Sequence, residues 1–320
     1  MNTNKGIKQW GKLALLLLLG TPPVFAAEGA GSEWEQLNKQ GMELLDAGHY
    51  ADGVVMTKKA LELAEKNVGV DHLDVATSLN NLAVLYKTQG QYAQAEPLYQ
   101  RSLAISEKAL GVEHPEVATN LNNLAALYDT QGQYARAEPL YKRSLVIYEK
   151  ALGVEHPNVA KSLNNLAVLY VNQGQYAQAE PLYKRSLAIY EKAFGTDNLY
   201  VAANLNNLAS LYDAQGQYKQ AEPLYKRSLA INEKALGKDH PDVATNLNNL
   251  ALMYYAQGQY TRAEPLHKRS LAIFEKALGA EHPNVATSLE GLAKLYSKTD
   301  KEDLAVSLQK RATAIRSIKR

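Results

Sequence analysis

The chain repeats itself every 42 residues. Asn81, Asn123, Asn165, Asn207 and Asn249 stand at that interval, as do Gly90, Gly132, Gly174, Gly216 and Gly258, and Pro97, Pro139, Pro181, Pro223 and Pro265. A fixed period of this length overrides the two or three globular domains that 320 residues would otherwise suggest. Each copy is one supersecondary unit, too small to bury its own apolar face, so copies must stack on copies.

Each unit reads as two helices. In the second, Leu79, Leu82, Ala83 and Tyr86 follow the i, i+3, i+4, i+7 rule and give a first helix, A, one apolar stripe. Gln89-Gly90-Gln91 ends it, glycine supplying the left-handed turn. Helix B then runs from about Tyr92 to Leu110, with Ala95, Leu98, Tyr99, Ser102, Leu103 and Ile105 on or near its packed face. Pro97 falls in its first turns, where a missing N–H costs least. Gly111 stops helix B, and Glu113-His114-Pro115 opens the next helix A with proline near its first position.

The predicted fold class is therefore all-α, a solenoid of about seven stacked antiparallel helix pairs over residues 33–320. The units run over about 33–73, 74–115, 116–157, 158–199, 200–241, 242–283 and 284–320. The outer two are degenerate and read as caps. In the first, Gly41 replaces the alanine of the Leu-Ala pair, Trp34 and Leu37 fill the outer stripe, and Gly48-His49-Tyr50 makes the turn. In the last, Gly291 replaces the second asparagine and Asp300 the turn glycine. Its final helix, from about Lys301, is expected to turn Leu304, Leu308, Ala312 and Ile315 inward and Lys310, Arg311 and Arg316 to water.

Leu82-Ala83, Tyr86, Gly90, Tyr92, Ala95, Tyr99 and Ser102 match the spacing of the tetratricopeptide repeat signature, with Ser102 in place of its alanine. The 42-residue length and the string Leu-Asn-Asn-Leu-Ala…Gly-Gln-Tyr…Ala-Glu-Pro-Leu-Tyr…Leu-Gly…His-Pro resemble the kinesin-light-chain type of that repeat over residues 32–318. The resemblance implies a right-handed superhelix whose concave face, lined by the A helices, binds peptide segments of partner proteins. The heptad region that attaches kinesin light chains to their motor is missing from this pattern, so motor transport is not implied.

The amino end has a different character. Lys5, Lys8 and Lys12 precede the apolar run Leu13 to Leu19, then Gly20 and Pro22-Pro23 break it, and Val24-Phe25-Ala26 offers small residues to a signal peptidase. Residues 1–26 read as an export signal cleaved after Ala26, followed by a flexible lead-in over 27–32, and the protein is expected to be a bacterial exported one, periplasmic or alternatively secreted. The run is far short of the ~20 apolar residues of a membrane span, so no span is expected after processing. With no cysteine in the chain, thiolate nucleophiles, thiolate-bound zinc, iron–sulfur clusters, disulfides and a lipoprotein anchor are excluded together.

Charge and aromatics exclude nucleic acid. The formal net charge is +2, and loss of the three leader lysines takes it to −1, too even for a phosphate-binding surface. The chain has 20 tyrosines, but Tyr86, Tyr92, Tyr99 and their counterparts recur at packing positions rather than as base-stacking platforms.

Within a repeat array, positions identical in every unit serve the stack and positions that change serve something local. A helical wheel of the second unit puts Thr77, Asn81, Val84 and Thr88 opposite the apolar stripe, flanked by Asn80 and Lys87, and this is the expected groove. Along it the side chains change from Val84 to Ala126, Val168, Ser210 and Leu252, and from Lys87 to Asp129, Val171, Asp213 and Tyr255. Asparagine pairs at 80-81, 122-123, 164-165, 206-207 and 248-249 put ten poor helix formers in mid-helix, each costing roughly 0.5 kcal/mol. Amides both donate and accept, so a ladder of them suits the backbone of an extended peptide. The second members, Asn81, Asn123, Asn165, Asn207 and Asn249, are assigned to the groove and the first members to the stack. Lys87, Asp129, Asp213, Leu252 and Tyr255 complete the candidate site, with Leu252 and Tyr255 as an anchor and Tyr254, in the slot of Tyr86, as a packing residue. Mixed charge, Lys87, Lys161 and Lys294 against Asp129 and Asp213, argues against a simple clamp for acidic tails.

Catalytic and metal chemistry find no footing. His72, His114, His156, His240 and His282 invite a zinc reading, but equivalent positions in stacked helices lie on the order of 10 Å apart whereas zinc holds imidazole at about 2 Å. They read as loop residues before each helix A, and Asn198 replaces one of them. Lys142, Lys184, Lys226 and Lys268 each follow a glutamate by four residues and read as solvated ion pairs. No phosphate loop, His-Glu-x-x-His or Gly-x-Ser-x-Gly motif occurs. The functional reading is a cofactor-free, metal-free, non-catalytic scaffold, monomeric, with a protein or peptide partner; the alternative is a self-assembling envelope component.

Overall fold

The structure, a computed structural model, describes residues 29–318, so the export signal expected over 1–26 and the start of the expected lead-in lie outside the described residues. The described residues form fourteen helices and no strand. They are α1 (Ser32–Asp46), α2 (Tyr50–Val68), α3 (Leu73–Thr88), α4 (Tyr92–Leu110), α5 (Pro115–Thr130), α6 (Tyr134–Leu152), α7 (Pro157–Asn172) and α8 (Tyr176–Phe194). They continue as α9 (Leu199–Ala214), α10 (Tyr218–Leu236), α11 (Pro241–Ala256), α12 (Tyr260–Leu278), α13 (Pro283–Tyr296) and α14 (Glu302–Ser317). The chain forms two compact parts, one ending at Leu182 and one beginning at Tyr183 within α8.

Local chemistry sets the helix ends. The histidines before each helix A are N-caps: Nδ1 of His72, His114, His156, His240 and His282 accepts the N–H two residues on, satisfying one of the donors that a helix start leaves unpaired. Asn198 does the same through Oδ1 to the Tyr200 N–H at 2.9 Å, which is why the imidazole is replaceable. Gly90 takes φ 75° at the turn into α4, and in the last unit Asp300 adopts φ 53° in the same role, a conformation that aspartate tolerates better than most residues. Pro97 is the sixth residue of α4, in its second turn, and so costs one helical hydrogen bond, the one to the carbonyl of exposed Ala93.

In the first part α3 packs between α4 and α2, and α5 packs on both α4 and α6; in the second, α11 lies against α10 and α12. The A helices are thereby covered on several sides. Val117, Ala118, Leu121, Leu124, Ala125, Leu127 and Tyr128 of α5 are all buried, whereas α4 buries only the stripe of Ala95, Tyr99, Ser102, Ile105 and Ser106. Ser102, in the slot where the signature has alanine, donates its hydroxyl to the Ala76 carbonyl at 2.7 Å, and Ser144, Ser228 and Ser270 repeat the contact. On the surface, Arg101 reaches back to Glu65 and Arg143 to Glu107 at 2.7 Å, and Lys142 and Lys226 pair with the glutamates four residues earlier. Exposed pairs of this kind contribute a few tenths of a kcal/mol each.

The asparagines cross-link successive A helices. Asn81 donates Nδ2–H to Asn38 Oδ1 at 3.2 Å, Asn123 to Asn80 at 2.8 Å and Asn165 to Asn122 at 3.3 Å; in the second part Asn249 donates to Asn206 at 3.0 Å. The expectation that only the first member of each pair serves the stack is corrected: the second member supplies the donor, the first member of the preceding unit the acceptor. The ladder ends at Asn248, whose next partner would stand at position 291, where there is only Gly291. His267 takes over, its Nδ1 lying 2.8 Å from Asn248 Oδ1 in a fully buried pocket, while its Nε2 is buried without a partner. A Cβ at residue 291 would fall 2.5 Å from the His267 ring, so the histidine requires that glycine. Burial, helped by Lys294, pushes the His267 pKa down to about 4.

The caps differ from expectation in two places. In α14 the packed residues are Ala305, Ala312 and Ile315 with Leu308 against them, whereas Leu304 is 52% exposed and its neighbour Val306 60% exposed. Leu304 lies one residue off the stripe of Ala305, Leu308, Ala312 and Ile315. Of the residues assigned to a flexible lead-in, Ala30 is instead buried, its N–H donating to Asp74 at 2.7 Å and its carbonyl accepting from Asn67 at 2.9 Å, and Ser32 already begins α1.

Two outcomes follow from the ladder. Asn80→Ala and Asn123→Ala should each lower the urea midpoint, and the double variant should lose less than the sum by about 1 kcal/mol, since the two share one hydrogen bond; strict additivity would contradict the ladder. His267 must shed its proton to be buried, so its contribution is whole above about pH 6.5 and is lost as pH falls from there towards 4. Replacing His267→Tyr together with Gly291→Asn restores the pair of the inner units, and urea midpoints measured from pH 7 to 4 should fall less steeply for that variant than for the parent.

Candidate functional site

The variable positions lie on the A-helix face, all but Ala126 half-buried, and they are not equivalent to one another. In the first part, Lys87 of α3, Asp129 of α5 and Asn172 of α7 come together on three successive A helices. Asp129 accepts from Asn172 Nδ2 at 3.0 Å and feels the charge of Lys87; burial nevertheless outweighs both and raises its pKa. Lys161, on the first half of α7, is pushed down to about 8 by burial alone. Val84 and Val168 are half-buried, and Ala126 between them is buried.

In the second part, Asp213 stands near the end of α9 and burial pushes its pKa up to about 6, with neither a charge nor a hydrogen bond opposing the shift. Beneath it Tyr225 is buried, its hydroxyl hydrogen-bonded to Ser210 of the same face. One unit on, in α11, Leu252 and Tyr255 are both half-buried, and the Tyr255 ring is tilted against Tyr260 with centroids 5.5 Å apart. Asn207 and Asn249 occupy the ladder position of the same two helices.

The ten candidate residues thus divide into the five ladder asparagines and five positions beside them. Asn81, Asn123, Asn165 and Asn249 each commit one of their two amide N–H bonds to the stack, and Asn207 stands at the same ladder position; the second N–H and Oδ1 of the four are not used by these rungs. Lys87, Asp129, Asp213, Leu252 and Tyr255 are the positions where the face changes character. Asn38 and Asn172 were missed by the sequence reading. Asn38 lies one period before Asn80, a signal obscured by the degeneracy of the first unit; Asn172 occupies a position held by Thr88 and Thr130 elsewhere, and nothing in the sequence tied it to Asp129. Among the described residues no group of three or more metal-ligating side chains converges, and no helix is long and apolar enough to cross a membrane.

Tandem helix pairs of this geometry define a helical-repeat protein. The profile of the tetratricopeptide repeat matches residues 37–108, 74–150, 116–192, 158–234, 200–276 and 242–317, and the chain belongs to that family. A kinesin-light-chain-type protein of Podosopora anserina with nearly identical repeats is 31% identical, with 64% of this chain and 96% of that one covered and a TM-score of 0.55. A Rap protein complexed with competence and sporulation factor is similar at 16% identity, covering 89% of this chain and 75% of that one, TM-score 0.67. Aspartyl phosphate phosphatase F from Bacillus subtilis is similar at 12% identity, covering 93% and 96%, TM-score 0.59. A search of curated proteins finds no match to the chain.

Neighbouring tyrosines of α11 separate packing from binding. Tyr254 is buried, donates its hydroxyl to Glu222 at 2.9 Å and carries the Arg262 guanidinium 3.8 Å from its ring centroid; Tyr255 is half-buried, its ring tilted against Tyr260. Tyr254→Ala should lower the melting temperature by several degrees, in line with a core aromatic truncation of about 3 kcal/mol, and Tyr255→Ala by far less. Equal losses by thermal denaturation would make Tyr255 a packing residue.

Proposed function

We propose that the protein is an exported, non-catalytic scaffold that holds an extended peptide segment of a partner protein along the A-helix face. The observation that carries the reading is the contrast on that face: the ladder asparagines are uniform and tied into the stack, while the half-buried positions beside them change from cation to anion to aromatic. A surface shaped only by stacking has no use for that variation. The Rap protein of similar fold is complexed with competence and sporulation factor, and the likeness at 16% identity is one of fold. The phosphatase of similar fold brings no catalytic residue to this chain, since its likeness is likewise one of fold. Export to the periplasm rests on the charged, apolar and small-residue order of residues 1–26.

Stacked helices ~10 Å apart and a ligand rising about 3.3 Å per residue give roughly three ligand residues per unit. A random 12-residue display library selected on the purified protein should therefore yield binders. Leu252→Ala with Tyr255→Ala should weaken a selected peptide at least about tenfold by fluorescence anisotropy while the melting temperature stays within a few degrees. Unchanged affinity, or a library that yields nothing, would remove the groove reading.

The exposed Leu304 and Val306 of α14 favour a second reading, self-assembly through the carboxyl-terminal cap. Sedimentation across a concentration series separates the two: a peptide scaffold stays monomeric, whereas an assembly grows with concentration and is dispersed by Leu304→Lys with Val306→Lys.

A further inference from the structure

Asp213 is placed where the protein alone has no good use for a negative charge. It sits in the last turn of α9, at the negative end of the helix dipole, half out of water and with no hydrogen bond or ion pair from its carboxylate. Its counterpart Asp129 is provided for, because Asn172, 43 residues on, donates to it and Lys87 lies near. The residue 43 positions after Asp213 is Ala256, which has nothing to donate. Tyr255 precedes that alanine, one repeat after Asp213 on the adjoining helix α11, with Tyr260 behind its ring and Leu252 three residues before it.

The chain displays elsewhere what this combination lacks. Twice a guanidinium lies over a tyrosine ring and pairs with a carboxylate that also accepts from that tyrosine's hydroxyl: Arg136 is 3.8 Å from the Tyr128 centroid and 2.7 Å from Glu96, and Arg262 is 3.8 Å from the Tyr254 centroid and 2.8 Å from Glu222. Around Asp213 and Tyr255 the carboxylate and the aromatic face are present on neighbouring helices and the cation is not. We propose that Asp213 and Tyr255 form a subsite for a lysine or arginine side chain of the bound peptide, the charged head on Asp213 and the aliphatic stem along Tyr255 and Leu252. Such a contact is charge-assisted at the carboxylate and of cation–π type at the ring. It gives the partner a fixed register, which the uniform asparagines cannot, and it disfavours an acidic side chain at that point. A half-buried carboxylate that burial has raised to about pKa 6 is relieved by an arriving cation, so the locally unfavourable charge is retained for its ligand.

The subsite rests on the groove reading, and the experiment keeps their failures apart. Random 12-residue display peptides are selected in parallel on the purified protein and on its Asp213→Asn variant, which keeps the shape and removes the charge. The protein should enrich one lysine or arginine per peptide and the variant should not. For a selected peptide, exchanging that lysine for norleucine should weaken binding to the protein about tenfold and to Asp213→Asn hardly at all. Binders without a basic preference, or a norleucine exchange that costs both proteins equally, would overturn the subsite while leaving the groove. No binders from either selection would overturn both.

Discussion

Every feature of this chain follows from one constraint: a helix pair of 42 residues cannot cover its own apolar surface, and only the next copy can. The consequence is an unequal division between the two helices of a unit. Helix A of an inner unit has its own helix B, the preceding helix B and neighbouring A helices against it, so α5 is buried on nearly every side but one. Helix B has one packed stripe and otherwise faces water, and its arginines and lysines settle into surface ion pairs. The single open side of each helix A is therefore the one surface of the array that is both sheltered and free of stacking duty.

Burial on that scale creates a polar problem, which the asparagine ladder meets. Mid-helix asparagine costs helix propensity, and a buried amide without partners would cost more. Offsetting the two members of a pair by one residue lets the donor of one unit meet the acceptor of the unit before, so each rung satisfies its neighbour and fixes the angle between successive A helices. The exception at the carboxyl end follows the same rule. Where Gly291 breaks the ladder, His267 replaces the packing tyrosine and returns a hydrogen bond to Asn248. Two substitutions that look like decay in a terminal repeat are one compensated change.

The period, the helix boundaries and the histidine starts were legible because each depends on residues close in the chain: a glycine at positive φ, an N-cap two residues from its donor, an apolar stripe at helical spacing. What the sequence left hidden depends on how neighbouring units are phased. A helical wheel placed Asn81 opposite the stripe and Asn80 beside it, which is right for an isolated helix, but cannot tell that the two meet across the gap of 43 residues between units. Leu304 was assigned inward with Leu308, Ala312 and Ile315, but the packed stripe runs through Ala305 instead, a phase that only the contact with α13 sets. Ala30 was read as linker from its glycine neighbours, yet Asp74 and Asn67, both far along the chain, hold it in place.

Asp129 and Asp213 carry the same lesson to the candidate site. They are one residue type at one position of the repeat, on helices of the same length, and a comparison of units would class them together. Their physical states differ because their neighbours do: an amide and a lysine attend the first, an alanine and a tyrosine lie beyond the second. The first carboxylate is part of the protein's own network, and a ligand reaching it must compete with Asn172. The second is uncommitted, so the interaction energy of an arriving charge is not offset by a partner that has to be displaced. In an array where stacking makes every unit alike, specificity cannot reside in a residue identity alone; it resides in which copies have been left without their internal partner.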